Sequence, residues 1–220
     1  MSKLMAGVSG VRGVYGESLN PHVVQKYSAS FGIHQKQAYG KGKIIVGRDS
    51  RTTGVAMLST IVSALLSVGL DVVDLGIVST PTVLLAVEDS DAIGGISITA
   101  SHNPPEWNAM KFVDQDGMFL SADKAARFLQ LVDAEIDWVD WQEIGQLTGD
   151  AEASRRHYRQ ILDIPYLDLA KIRARKYKVV LDSVNGAGAA ISPMLLEALG
   201  CEVISINEAP TGIFAIPLNL

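Results

Sequence analysis

The feature that most constrains the fold is an alternation of short apolar runs with segments of helical periodicity. Lys43–Gly47 (K-I-I-V-G), Asp71–Leu75 (D-V-V-D-L) and Ala92–Thr99 (A-I-G-G-I-S-I-T) each read as a strand. None shows the polar–apolar alternation of a half-solvated sheet, so burial on both faces is expected. Asn20-Pro21 opens a first helix as cap and first-turn proline, with Val24, Tyr27 and Phe31 on one face. Leu58, Ile61, Val62 and Leu65 share the face of a second helix, which Gly69 ends. Strand and helix in turn predict an α/β fold, with a mixed, mostly parallel sheet flanked by helices.

Length extends this reading. At about 150 residues per domain, 220 residues correspond to one complete domain plus the start of a second, similar one. The expected division is 1–150 and 151–220. Residues 133–152 hold seven acidic and no basic side chains, the composition of a solvated face, and Gly145 and Gly149 mark a seam there. Beyond it come a helix over Arg155–Leu162, a strand at Lys178–Asp182, a turn at Ser183–Gly188 and a helix reaching Leu199. Pro193 either kinks that last helix or, with Ser192 as cap, starts it. Cys201–Ile206 is a closing strand. Trp138 and Trp141 read as packing residues, and Cys201 as a small buried apolar side chain.

Several function classes recede. A single cysteine cannot build a disulfide scaffold and fits a reducing compartment. No apolar run approaches the roughly 18 residues of a membrane span, and residues 1–7 lack a signal-peptide hydrophobic region. The expectation is a soluble, cytoplasmic protein without a membrane partner. A net charge of −5 argues against nucleic acid. Residues 1–113 carry nine basic and eight acidic side chains, and residues 114–220 ten and sixteen. A small anionic substrate would therefore meet the first half, through local arginines and lysines.

The stretch that carries chemistry is Gly95–Pro105, G-I-S-I-T-A-S-H-N-P-P. A buried strand runs straight into small polar residues and ends at two prolines. In open α/β sheets ligands gather at the carboxyl ends of strands, where Ser101 would stand exposed. A Ser-His-Asp hydrolase fits poorly, because Ser101 and His102 are adjacent and a triad needs side chains that converge. Taken alone, such a turn is more often structural than functional.

The longer string Gly95–Phe112, G-I-S-I-T-A-S-H-N-P-P-E-W-N-A-M-K-F, closely resembles the phosphoserine loop of the α-D-phosphohexomutase family, which includes phosphoglucomutase/phosphomannomutase and phosphoglucosamine mutase. Three further strings resemble family motifs in the family's order: Ser9–Gly13 (S-G-V-R-G), Val46–Arg51 (V-G-R-D-S-R) and Leu75–Pro81 (L-G-I-V-S-T-P). Asp182–Gly188 and Leu199–Cys201 are similar to strings of the family's second domain. The resemblance spans the chain.

It implies a mutase that moves phosphate between O1 and O6 of glucose or mannose through a phosphoserine and a bisphosphorylated sugar. Ser101 would carry the phosphoryl group, Lys111 would act as general acid/base, and His102 would orient the loop or transfer protons. Arg12, with Ser9 and Gly10, would bind phosphate. Arg48 and Asn103 stay open between substrate contact and structure, and Arg48 and Arg51 are most simply partners for Asp49 or solvent. Mg²⁺ would bridge the phosphoserine and three aspartates, and a sugar 1,6-bisphosphate would act as activator. The family's aspartate loop, D-G-D-x-D-R, occurs nowhere in these residues, so 151–220 is expected to be a partial second domain ending before that metal loop, and residues 1–220 are expected to be inactive on their own. Ala109 stands where the family has glycine; a left-handed backbone there would cost alanine about 1–2 kcal/mol. Thr99 tilts the reading away from the amino-sugar branch. A silent sugar-phosphate-binding module and a dehydrogenase-type nucleotide domain are the rivals from other classes, and oligomeric state stays open.

Overall fold

The computed structural model describes residues 3–214. The elements run β1 (Met5–Gly7), β2 (Gly10–Val14), α1 (Pro21–Tyr39), β3 (Lys43–Arg48), α2 (Gly54–Ser67), β4 (Asp71–Ile77), α3 (Thr80–Glu88), β5 (Gly94–Ile98), β6 (Trp107–Asp114), α4 (Ala122–Leu131), β7 (Leu147–Gly149), α5 (Ala153–Leu162), α6 (Leu169–Ala174), β8 (Lys178–Asp182), α7 (Gly188–Ala198) and β9 (Glu202–Ile206). β1 to β7 form one sheet in the order β1-β2-β6-β5-β3-β4-β7, and β8 and β9 form a second.

Four of the seven strand pairings are parallel, joining β5-β3-β4-β7 and β8-β9; β1, β2 and β6 add to the first sheet antiparallel. The mixed, mostly parallel sheet flanked by helices is thus present. Alternate residues of β3 point to opposite faces. Ile44 and Val46 pack with Phe31 of α1, Leu65 of α2 and Phe128 of α4, whereas Ile45 packs with Val83 and Val87 of α3 and Ala153 of α5. Burial on both sides explains why these strands are continuous apolar runs.

Local chemistry sets the helix starts. Asn20 Oδ1 accepts from Val23 N at 3.1 Å, and Pro21 opens α1. Ser79 accepts from Thr82 N ahead of α3, so the T-P string begins a helix. Gly69 ends the α2 region with φ +80. α7 begins at Gly188 and keeps Pro193 inside it, so the start at Ser192 is not adopted. In the acidic stretch, β7 adds a parallel edge strand to β4 through Val72–Leu147 pairing, which is more than a linker does. Trp141 is 82% exposed and Trp138 is exposed as well, contrary to a packing role, and Cys201 is only half-buried. Among the described residues no helix is long and apolar enough to cross a membrane.

Candidate active site

The site is built where β5 ends. Ile98, the last residue of β5, is bracketed by β3 and β6, so the chain leaving it emerges at the carboxyl rim of the parallel strands. Thr99 N donates back to Ala109 O at 3.0 Å, and Thr99 Oγ1 accepts from Ser101 N at 3.1 Å. Asn103 N closes a turn on Ala100 O at 3.1 Å. Inside this turn Ser101 has φ +56, a left-handed conformation that costs a non-glycine residue about 1–2 kcal/mol. Its side chain is exposed, with Oγ 3.3 Å from His102 Nδ1.

A cleft of about 380 Å³ lies in front of the turn, lined among others by Ser9, Gly10, Arg12, Ser101, His102 and Lys111. Six of the eight residues proposed from sequence thus share one cavity, although they come from three separate stretches of chain. Antiparallel pairing brings them together: Arg12 of β2 lies opposite Ala109 of β6, and Lys111 of β6 lies opposite Ser97 of β5. Two cations therefore flank the serine from neighbouring strands. Lys111 Nζ sits 5.9 Å from the Phe119 ring centroid.

The other two residues lie outside the cleft lining. Asn103 Oδ1 accepts from Arg12 Nη1 at 3.1 Å, which steadies the arginine. Arg48 is half-buried and donates from Nη1 to Asp49 O at 3.3 Å, a contact within its own turn. Ala109 lies in β6 and is not left-handed, so no strain disturbs the strand that carries Lys111. The glycine at position 10 has a definite cause: φ is +110, and a Cβ would stand 2.2 Å from Met110 O.

One central residue was missed as a part of the site. Arg51, read only as a structural partner for Asp49 or solvent, does pair with Asp49, but it is also buried under the serine turn and hydrogen-bonds its main chain. The signal was the D-S-R spacing, because Asp49 Oδ1 accepts from Arg51 N at 3.0 Å and so turns the arginine inward.

A second cleft of about 370 Å³ opens on the other side of Ser101, where Asp49, Ser50, Asp182, Ser183 and Phe214 are among its walls. Its carboxylates are engaged. Asp49 bonds Arg51, and Asp182 Oδ1 accepts from Val184 N and Asn207 Nδ2. Among the described residues no group of three or more His, Cys, Asp or Glu is placed to hold a metal. A hard cation such as Mg²⁺ needs an octahedral set of free oxygens, and this donor set does not supply it.

The pattern for phosphoglucomutase/phosphomannomutase, alpha/beta/alpha domain I, matches residues 3–137. A Methanopyrus kandleri protein named "Probable phosphoglucosamine mutase" is 39% identical over 210 residues, which is 94% of this chain and 44% of that protein. A Thermococcus kodakarensis protein named phosphoglucomutase/phosphomannomutase is 37% identical over 216 residues, 97% of this chain and 46% of that one. The crystal structure of a phosphoglucomutase/phosphomannomutase family protein from Burkholderia thailandensis superimposes with a TM-score of 0.79 at 26% identity, covering 97% of this chain and 47% of that one. The chain spans about half the length of the curated relatives it matches. With the domain I pattern matched over residues 3–137, this chain belongs to the phosphoglucomutase/phosphomannomutase family.

Proposed function

We propose that this chain carries the phosphoryl-transfer centre of a phosphohexomutase that interconverts hexose 1-phosphate and hexose 6-phosphate. The observation that carries the reading is the exposed Ser101 hydroxyl, held in a left-handed turn in a cleft with Arg12 and Lys111. A phosphoserine there would hold about −1.5 to −2 charges at neutral pH, next to two cations. In the forward half-reaction a sugar hydroxyl attacks phosphorus and gives its proton to a base, the P–O bond to Ser101 Oγ breaks, and Oγ leaves with the bond pair and takes up a proton to regenerate the serine hydroxyl. Lys111 is the candidate general acid/base. The resulting bisphosphorylated sugar turns over and returns its other phosphate to Ser101. Arg12, with Ser9 and Gly10, holds phosphate; His102 orients the serine. Such transfer relies on alignment and charge stabilisation rather than covalent help from the protein.

Residues 1–150 form the serine-bearing domain in this reading, and 151–220 the start of a second. Mg²⁺ belongs to it as a proposal whose carboxylate ligands lie outside the described residues. A sugar 1,6-bisphosphate is the activator that primes Ser101, the compartment is the cytoplasm, and residues 1–220 alone are inactive.

Phosphoglucosamine mutation is a second reading, favoured by the name of the Methanopyrus relative. Thr99 does not oppose it: its hydroxyl accepts from Ser101 N, which a serine hydroxyl also does. The test is mass spectrometry of Ser101 after the full-length gene product meets glucose 1,6-bisphosphate, followed by coupled assays with glucose, mannose and glucosamine phosphates. Phosphate on Ser101, with S101A lowering turnover at least about a thousandfold, is the expected result. A Ser101 that stays unmodified with every sugar bisphosphate favours a silent binding module.

A further inference from the structure

We propose that Arg51 is the positioning residue that holds Ser101 in its reactive conformation, an inference that rests on the function proposed above. Arg51 is 1% exposed, and a buried guanidinium must satisfy five N–H donors arranged in a rigid fork. All five are used. Nε donates to Asp49 Oδ2 at 3.1 Å. Nη1 donates to Pro104 O at 2.7 Å and Trp107 O at 3.1 Å, and Nη2 donates to Ser101 O at 3.0 Å and Asn103 O at 2.7 Å. Four carbonyls of the turn that displays the serine therefore converge on one planar cation.

The contact to Ser101 O matters most, because that carbonyl belongs to the residue with φ +56. A left-handed serine is uphill for an L-residue, and a charge-assisted hydrogen bond to its carbonyl is among the stronger ones, which holds the turn there. Asn103, gripped through its carbonyl, in turn receives Arg12 Nη1. Arg51 thus aligns the phosphate carrier and a phosphate-facing cation together. It also ties the end of β3 to the end of β5, and the Phe214 ring covers it at 5.1 Å. Lysine has three donors on a point charge and cannot span four carbonyls and a carboxylate.

The test uses the full-length gene product with R51K and D49N. D49N leaves the four carbonyl acceptors in place but removes the charge and one of the two Asp49 oxygens that accept from Arg51 N and Nε. For R51K we expect KM for the sugar phosphate within about twofold of the parent. The rate of Ser101 phosphorylation by glucose 1,6-bisphosphate, and kcat, fall on the order of a hundredfold, as for an ångström-scale misplacement. D49N falls between the two and decides the question if R51K does not fold. Folded R51K, or D49N in its place, phosphorylating Ser101 at the parent rate overturns the inference. So does a loss confined to thermal stability. If the parent protein itself takes no phosphate on Ser101, the function reading fails first, and the two failures are told apart.

Discussion

At the scale of single residues, glycine and serine occupy the strained positions around the cleft for opposite reasons. Gly10 needs φ +110 and has no room for a Cβ, since Met110 O would lie 2.2 Å away. That oxygen is backbone within the β2–β6 pairing and can move only by opening it. G10A should therefore cost at least about 2 kcal/mol, combining left-handed strain with a local shift of the ladder. Urea unfolding of parent and variant measures it, and a difference below about 0.5 kcal/mol would contradict the crowding. Ser101 takes a similar strain at φ +56, where glycine would be easier, and the turn leaves its side chain exposed. Sequence alone showed both positions, but it did not show which arginine of V-G-R-D-S-R turns inward. Arg48 and Arg51 have similar neighbours along the chain, and only the folded carbonyl cluster beneath Ser101 separates them.

At the scale of elements, legibility followed locality. Lys178–Asp182 has the same bounds in structure as in sequence, and α1 starts at its Asn20 cap, because capping and apolar runs act over a few residues. N20A should destabilise by about 1 kcal/mol through loss of the bond to Val23 N. Denaturant titration checks it, with helix content by circular dichroism expected to stay nearly unchanged. β6 was not read as a strand. Its string W-N-A-M-K-F-V-D follows a proline turn and carries polar residues in a strand of the sheet's interior. Lys111 reaches the cleft, Asn108 Nδ2 donates to Thr53 Oγ1 at 2.9 Å, and Asp114 is paired below. β1, β2 and β7 are short pieces that exist because a neighbouring strand offers an edge, which no local pattern announces.

At the scale of the whole molecule, two groups of charges link stability to pH. Burial alone pushes the His157 imidazole below its ordinary value of 6.5, while its Nδ1 lies 2.9 Å from Thr82 Oγ1 across the α3–α5 contact. Burial also lowers His34, although Asp114 opposes it. Depressed folded values mean that their stabilisation is complete above 6.5 and is lost as pH falls through the lower folded values. A second loss comes from carboxylates. Burial pushes Asp114 up, but hydrogen bonds from Lys124, Tyr39, Gln115 N and Gln35 together hold it below 3.8. The hydrogen bond from Arg156 is the main cause lowering Asp150, against burial. Their contribution is present above the unfolded value of 3.8 and is lost as pH falls through the folded values. The urea midpoint should be flat from about pH 8 to 7, decline gently below 6.5 and drop steeply below about 4. H157N should remove part of the gentle decline; an unchanged profile would show that His157 does not report on the α3–α5 contact.

The amino-acid sequence by itself determined the α/β class, the strands and helices with strong local periodicity, and the serine turn with its motif neighbours, because these depend on residues close together in the chain. Only the tertiary structure decided that β6 runs antiparallel to β5, that Arg12, Ser101 and Lys111 face one cleft, and that Arg51 sits beneath the turn. Those outcomes depend on hydrogen-bond partners some 50 to 90 residues apart, and nothing in a local window encodes which distant carbonyl a buried guanidinium will find.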